Sequence, residues 1–338
     1  MSQPPELDDL EALLERLKGT ARIRTLAYSD GAGGLPVYGL TLGSEDRSKP
    51  TLCIVGGVHG LERIGTRVVL AYLHTLTELL QWDATLRSAL ERSRIVLLPI
   101  VNPGGLAART RSNPRGVDLM RNAPVESVAR ASFLVGGQRL SSRLPWFRGS
   151  AGQMEAESQA LCDFVRRECF EASAVISLDC HSGFGLVDRL WFPYARSRRP
   201  FPDLASTFAL RQLLDYTLPN HVYRVEPQSQ NYTVQGDLWD YLYDAFRDQR
   251  PDAVFLPLTL EMGSWLWVRK NPRQALSALG GFNPIKPHRL RRTLRRHLPL
   301  LDFLHRAIAS HERWLPKDDS QRDALRRAAF RTWYADAL

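Results

Sequence analysis

The fifteen residues TLCIVGGVHGLERIG, Thr51 to Gly65, hold a strand, a tight turn and the start of a helix. Leu52-Cys53-Ile54-Val55 is a short apolar run of the kind buried on both faces of a sheet. Gly56-Gly57 supplies the turn. His59 and Glu62 follow it as an H-x-x-E pair, and apolar residues then recur at helical spacing through Ile64, Val68, Val69, Tyr72, Leu73, Leu76 and Leu80. An imidazole and a carboxylate three residues apart, leaving a strand end, can reach one Zn²⁺. H-x-x-E is short and recurs by chance, so the pair alone carries little. A catalytic site needs a third protein ligand and an open position. The reading therefore calls for another histidine at another strand end.

Upstream, Leu7 to Leu17 has the leucine spacing of an amphipathic helix. Arg22 to Tyr28 and Val37 to Leu42 read as a hairpin at a sheet edge, around the turn Asp30-Gly31-Ala32-Gly33-Gly34. Downstream, Asp83 to Glu91 reads as a short helix and Arg94 to Val101 (RIVLLPIV) as a central strand. Strand, helix, strand argues for an α/β sheet with a substantial parallel part. Asn102-Pro103-Gly104-Gly105 ends that strand. His74, within the helical pattern, reads as a surface residue.

Arg109 to Asn122, RTRSNPRGVDLMRN, has four arginines and no periodicity, so it reads as a loop. Clustered arginine serves solubility, and it also grips carboxylates in a two-pronged fork. Asp118 in this loop is placed to orient a ligating imidazole. Met154 to Phe170 is helical, and Ala174 to Leu178 is an apolar strand leading into Asp179-Cys180-His181-Ser182-Gly183. His181 is the strand-end histidine the first motif requires, and open α/β sheets build their sites at strand C-termini. Trp191 to Tyr194 and His221 to Val225 read as short strands. Leu204 to Leu214 and Asp237 to Arg247 read as helices. Val254 to Glu261 (VFLPLTLE) is the last strong strand, with Pro257 marking an irregular or edge position. Arg289 to Trp314 is a long helix containing Pro299, and Asp319 to Tyr334 a terminal one.

The chain has 338 residues, 44% of them hydrophobic, enough for a large core. No internal repeat or linker divides it, so one domain with an extra helical segment from about residue 284 is expected. The net charge is +9, concentrated around Arg289 to Arg296. That stretch lacks the interleaved aromatics of a single-strand nucleic-acid binder, so no nucleic-acid partner is expected. No apolar run reaches membrane length and the acidic N-terminus has no signal-peptide core, which points to a cytoplasmic, non-membrane protein. Cys53, Cys162, Cys169 and Cys180 form no C-x-x-C pair and imply no disulfide framework.

In order, GGVHGLERIG, NPGG, RTRSNPRGVDLMRN, SLDCHSG and LTLEMG resemble the zinc metallocarboxypeptidases, the carboxypeptidase A-like family, in a divergent bacterial-type form. The resemblance spans roughly Thr51 to Gly263. It implies a mixed, mostly parallel eight-stranded twisted sheet with helices on both faces. It implies one Zn²⁺ held by His59, Glu62 and His181, with Asp118 bonded to His59. Glu261 would be the general base. Arg111 would stabilise the oxyanion, a role worth roughly 3–4 kcal/mol. Arg121 would bind the terminal carboxylate of a peptide substrate, and Tyr232 would close over it from a mobile loop.

One position departs. Met120 stands where the family has Asn beside Arg121, and methionine cannot donate a hydrogen bond. Either Asn122 or another arginine then completes the carboxylate clamp, or the substrate end differs. Asp237, Asp240 or Leu238 is expected to line the side-chain pocket, unless the acids merely start a helix. A second reading is an N-acyl amino acid deacylase of the aspartoacylase or succinylglutamate desuccinylase type, acting on acylated amino acids. A third is a catalytically inactive peptide-binding module.

Overall fold

A computed structural model describes residues 3–30, 34–128 and 131–335. Eight strands form one sheet: β1 (Arg22–Ser29), β2 (Leu35–Gly43), β3 (Thr51–Gly56), β4 (Arg94–Leu98), β5 (Ala174–Ser182), β6 (Arg189–Phe192), β7 (Arg224–Pro227) and β8 (Val254–Met262). Their order is β1-β2-β4-β3-β5-β8-β6-β7. The β4-β3-β5-β8 core is parallel throughout, and β1 and β2 form the antiparallel hairpin at one edge. The sheet is therefore mixed and mostly parallel, as expected. Gly31, Ala32 and Gly33 of the expected hairpin turn lie outside the described residues.

β3 and β4 are apolar without alternation because both faces are covered; Leu52 to Val55 and Ile95 to Leu98 are fully buried. β4 ends at Leu98, short of the expected Val101, because Pro99 has no N–H to continue the ladder. The long helix α2 (Arg63–Trp82) packs on β3 and β5. The N-terminal helix α1 (Pro5–Arg16) inserts Leu7, Leu10, Leu13 and Leu14 and packs on α2. Its buried Glu6 pairs with Arg63 and Arg67 at the start of α2. The remaining helices are α3 (Ala84–Arg92), α4 (Pro103–Ala108), α5 (Ala156–Cys169), α6 (Leu204–Thr217), α7 (Leu238–Gln249), α8 (Trp265–Lys270), α9 (Pro287–Ala309) and α10 (Asp319–Trp333).

Pro257 sits in β8, which is an interior strand rather than an edge. β6 pairs β8 only over Thr259 to Glu261, so on that side no strand needs a donor from Pro257. The expected strand over His221 to Val225 is shifted to Arg224–Pro227. His221 instead pairs with Asp215 at 2.8 Å. α9 runs through Pro299 and buries Leu300, Leu301, Phe303, Leu304 and Ile308 against α2, α3, β3 and β5. No helix among the described residues is long and apolar enough to cross a membrane.

Candidate metal centre

Three adjacent parallel strands, β3, β5 and β8, bring the site together at their C-terminal ends. The turn after β3 needs glycine twice. Gly57 has φ +66°, and a side chain on Gly60 would strike the Gly105 backbone of α4 at 2.0 Å. This close approach swings His59 back over the sheet and leaves Glu62 at the N-terminus of α2, where its charge suits the helix dipole. His181 is in β5 and stands in register opposite Glu261 of β8.

Nδ1 of His59 lies 2.9 Å from Glu62 Oε1, and Nδ1 of His181 lies 3.0 Å from Glu62 Oε2 and 3.2 Å from His59 Nδ1. The three donor atoms fall within 4.8 Å of one another, and all three residues are buried. The far nitrogens face acids. His59 Nε2 meets Asp118 Oδ1 at 3.0 Å, and His181 Nε2 lies 2.8 Å from Asp179 Oδ2, at an angle too oblique for a full hydrogen bond. Two imidazoles converging by the same nitrogen on one carboxylate, each backed by an acid, form a donor set that fits Zn²⁺.

The charges are strongly coupled. Burial pushes the Glu62 pKa up, but His59 and His181 outweigh it and hold the carboxyl well below its ordinary range. Asp118 is likewise held far down against its burial, by Arg111 and then His59. Burial lowers the His181 pKa, but Asp179 and Glu62 carry it well above 6.5. Glu261 goes the other way: burial, then the Glu62 charge, push it up to about 8. A divalent cation between these groups opposes that push.

Arg111 donates from Nε to Asp118 Oδ2 at 2.9 Å and from Nη1 to Glu62 Oε1 at 2.8 Å. Its Nη2 has no partner among the described residues. Glu261 Oε1 accepts from the Phe184 N–H at 2.9 Å. His59, Glu62, Arg111, Arg121, His181, Tyr232 and Glu261 all line one cavity of about 460 Å³. Tyr232 packs there against Phe184 and Trp191, with ring centroids 5.7 and 5.8 Å away. Burial pushes its phenol up to about 12. Met120 also lines the cavity.

Asn122 does not complete a clamp, because it is not part of the cavity wall. Its Nδ2 donates to Arg148 O at 2.9 Å and Gln153 O at 3.3 Å, and its Oδ1 accepts from Glu155 N at 2.6 Å. The amide holds loop backbone and has no N–H left to donate to a carboxylate. Asp237, Leu238 and Asp240 are not in the wall either. Asp237 caps α7 by accepting from Trp239 N and Asp240 N, and Asp240 accepts from Ala195 N and Arg196 N. The wall is built instead by Phe184, Trp191, Thr259, Gln228 and Asn231.

Sequence reading missed Asp179, whose signal was present: Asp179 and His181 alternate on one strand and so share a face. It also missed Trp265, Phe282 and Asn283. Trp265 and Phe282 line the cavity. Ser182 Oγ donates to Phe282 O at 2.8 Å. Asn283 Nδ2 donates to Leu61 O at 2.8 Å, and its Oδ1 accepts from Ile64 N at 2.9 Å, bracketing Glu62.

Residues 10–265 match the sequence profile of the zinc carboxypeptidase family. Carboxypeptidase SOL1 of Arabidopsis thaliana is 27% identical over 288 residues, covering 82% of this chain and 53% of that protein. The chain thus spans about half the length of this curated relative. Among solved structures, bovine thrombin-activatable fibrinolysis inhibitor in complex with tick carboxypeptidase inhibitor superposes with a TM-score of 0.65. The identity is 21%, over 90% of this chain and 96% of that one. Carboxypeptidase A from Helicoverpa armigera gives a TM-score of 0.66 at 19% identity, over 90% and 72%. The two structural likenesses are likenesses of fold. The profile match covers three quarters of the sequence and includes every residue of the His59–Glu62–His181 cluster and Glu261, so the chain belongs to the zinc carboxypeptidase family.

Proposed function

We propose that the chain is a zinc-dependent hydrolase that removes C-terminal residues from peptides. The observation that carries this reading is the convergence of His59, Glu62 and His181 on one point within 4.8 Å, with Glu261 beside them at the next strand end. His59, Glu62 and His181 would hold one Zn²⁺. When bound, zinc lowers the pKa of water and polarises a carbonyl.

The protein's own groups do the rest. Asp118 and Asp179 each hold a ligand histidine in place through its far nitrogen. Glu261 takes a proton from the attacking water and hands one to the leaving amine. Arg111, braced by Asp118 and Glu62, turns its remaining N–H groups toward the developing oxyanion. Arg121 donates a long Nε contact to Val135 O, 3.4 Å, and lines the cavity with Tyr232, where its two-pronged end can meet the terminal carboxylate. Tyr232 covers the substrate from the aromatic side of the cavity.

One observation favours a second reading. With Met120 in the wall and Asn122 turned away, neither neighbour of Arg121 in the sequence adds an amide to the clamp. A site that accepts a less fully held carboxylate suits an N-acyl amino acid deacylase. The metal assignment underlies both readings and is tested by His59→Ala. Elemental analysis of the purified variant should find most of the zinc gone, and full occupancy would remove His59 from the site.

A further inference from the structure

Between Gly263 and Leu301 the chain has nine Lys and Arg residues and no Asp or Glu. The other 36 basic residues equal the 36 acids of the whole chain, so this stretch carries the entire net charge of +9. It begins at the catalytic cavity. Trp265, in the wall, is the first residue of α8, and Arg269 and Lys270 end that helix. Phe282, also in the wall, is held by Ser182. Asn283 beside it is bonded into the turn that carries His59 and Glu62.

Arg296 pairs with Asp188 at 2.9 Å, but the cationic groups nearer the cavity are exposed and free of acids. Arg269, Lys270, Arg273 and Lys286 are all exposed, and none has an ion-pair partner among the described residues. Arg289 donates to Trp267 O at 3.1 Å and to Lys270 O at 3.3 Å, which joins α8 to the start of α9. Arg291, Arg292 and Arg295 extend the same charge along α9. Arg269 and Lys270 lie about one helical turn, roughly 6–8 Å, from Trp265. Lys286 is three residues past Asn283, at most roughly 10 Å of chain. These distances match the screening length of about 8–10 Å at ordinary ionic strength. A chain leaving the cavity over this rim passes within reach of several unpaired cations.

We propose that this rim selects peptides with an acidic segment just upstream of the C-terminal residue. The proposal rests on the peptidase reading of the cavity and adds the substrate class. Unpaired charges beside a concave site concentrate an oppositely charged ligand there and speed its arrival. A nucleic acid is the less fitting polyanion, since Trp265 is the one exposed aromatic of the stretch and offers a single stacking surface.

The test uses zinc-loaded Glu261→Gln protein and two fluorescein-labelled peptides ending in Ala-Phe. One carries four glutamates before that ending, the other alternating serine and glycine. By fluorescence anisotropy in 50 mM salt, the acidic peptide should bind about tenfold tighter, the scale of three exposed ion pairs. The advantage should fall below about twofold in 0.5 M salt. Changing Arg269, Lys270 and Arg273 together to serine should abolish it and leave the neutral peptide's affinity unchanged. Equal affinities in the parent, or an advantage that survives the triple change, would overturn the proposal. An oligothymidylate that displaces the acidic peptide and binds more tightly would overturn it in favour of nucleic acid. Turnover of the neutral peptide by the unmodified enzyme tests the peptidase reading separately. If that fails while the acidic preference stands, the peptidase reading falls and a surface for acidic chains remains.

Discussion

Replacing Asn283 by alanine removes three hydrogen bonds at once: those to Leu61 O and Leu279 O, each 2.8 Å, and the one from Ile64 N, 2.9 Å. Ile64 is in the first turn of α2, so its N–H has no carbonyl within the helix to turn to. A buried group left without a partner costs roughly 1–3 kcal/mol. Leu61 O and Ile64 N together therefore set an expected loss of roughly 2–6 kcal/mol in folding stability. The same two bonds flank Glu62, one of the three residues facing the metal position. Groups that steady ligands from behind typically contribute 10–100-fold to metal affinity, so zinc binding should weaken by roughly that factor. Competition against a chromophoric zinc chelator reads the affinity, and urea unfolding of the zinc-free protein reads the stability. Stability lowered with zinc affinity within twofold of the parent would refute the link between this anchor and the metal turn. If neither changed, the hydrogen bonds would not be holding the turn at all.

Two further predictions concern buried ionisable groups. Burial holds the His305 imidazole down to about 4 against an ordinary 6.5, with Asp302 raising it and Arg306 lowering it, while Nε2 sits 3.0 Å from Ser93 Oγ. The unfolded chain therefore takes up this proton first, so stability is lost as pH falls from about 6.5 toward 4, by roughly 2 kcal/mol at pH 5. Urea midpoints of the parent and His305→Gln should show the shallower pH slope in the variant, and identical slopes would exclude His305 as a source. Asp179→Asn keeps an acceptor for Trp239 Nε1, now 2.9 Å away, but removes the charge behind His181. Zinc affinity should fall about tenfold, and a change below twofold would confine Asp179 to packing.

The parts of the site that were readable in the sequence are those a strand end makes local. His181 and Glu261 each close an apolar run, His59 and Glu62 follow one across a glycine turn, and a parallel sheet brings such ends to one edge by its topology alone. The same logic recovers β3, β4, β5 and β8, which are buried on both faces and read as unbroken apolar runs. β6 and β7 are four residues each, and their limits depend on pairing with neighbours rather than on their own pattern. Asn122 was expected in the carboxylate clamp because it follows Arg121 and Met120 cannot donate. Only the path of residues 148–155 shows that its amide is consumed by their backbone. Phe282 and Asn283 lie outside the family match, and their partners are 100 and about 220 residues away along the chain. No local pattern marks a contact of that kind.

The proposed function is hydrolysis, by these residues together, of the bond before a peptide's C-terminal residue. The most direct measurement is mass spectrometry of a mixture of peptides with varied C-termini and a set of N-acyl amino acids, incubated with zinc-loaded enzyme. Glu261→Gln, loaded in the same way, serves as the blank. Single C-terminal residues should be lost with the parent and none with the variant. Cleavage that persists in Glu261→Gln, or release of acyl groups with every peptide intact, would contradict it.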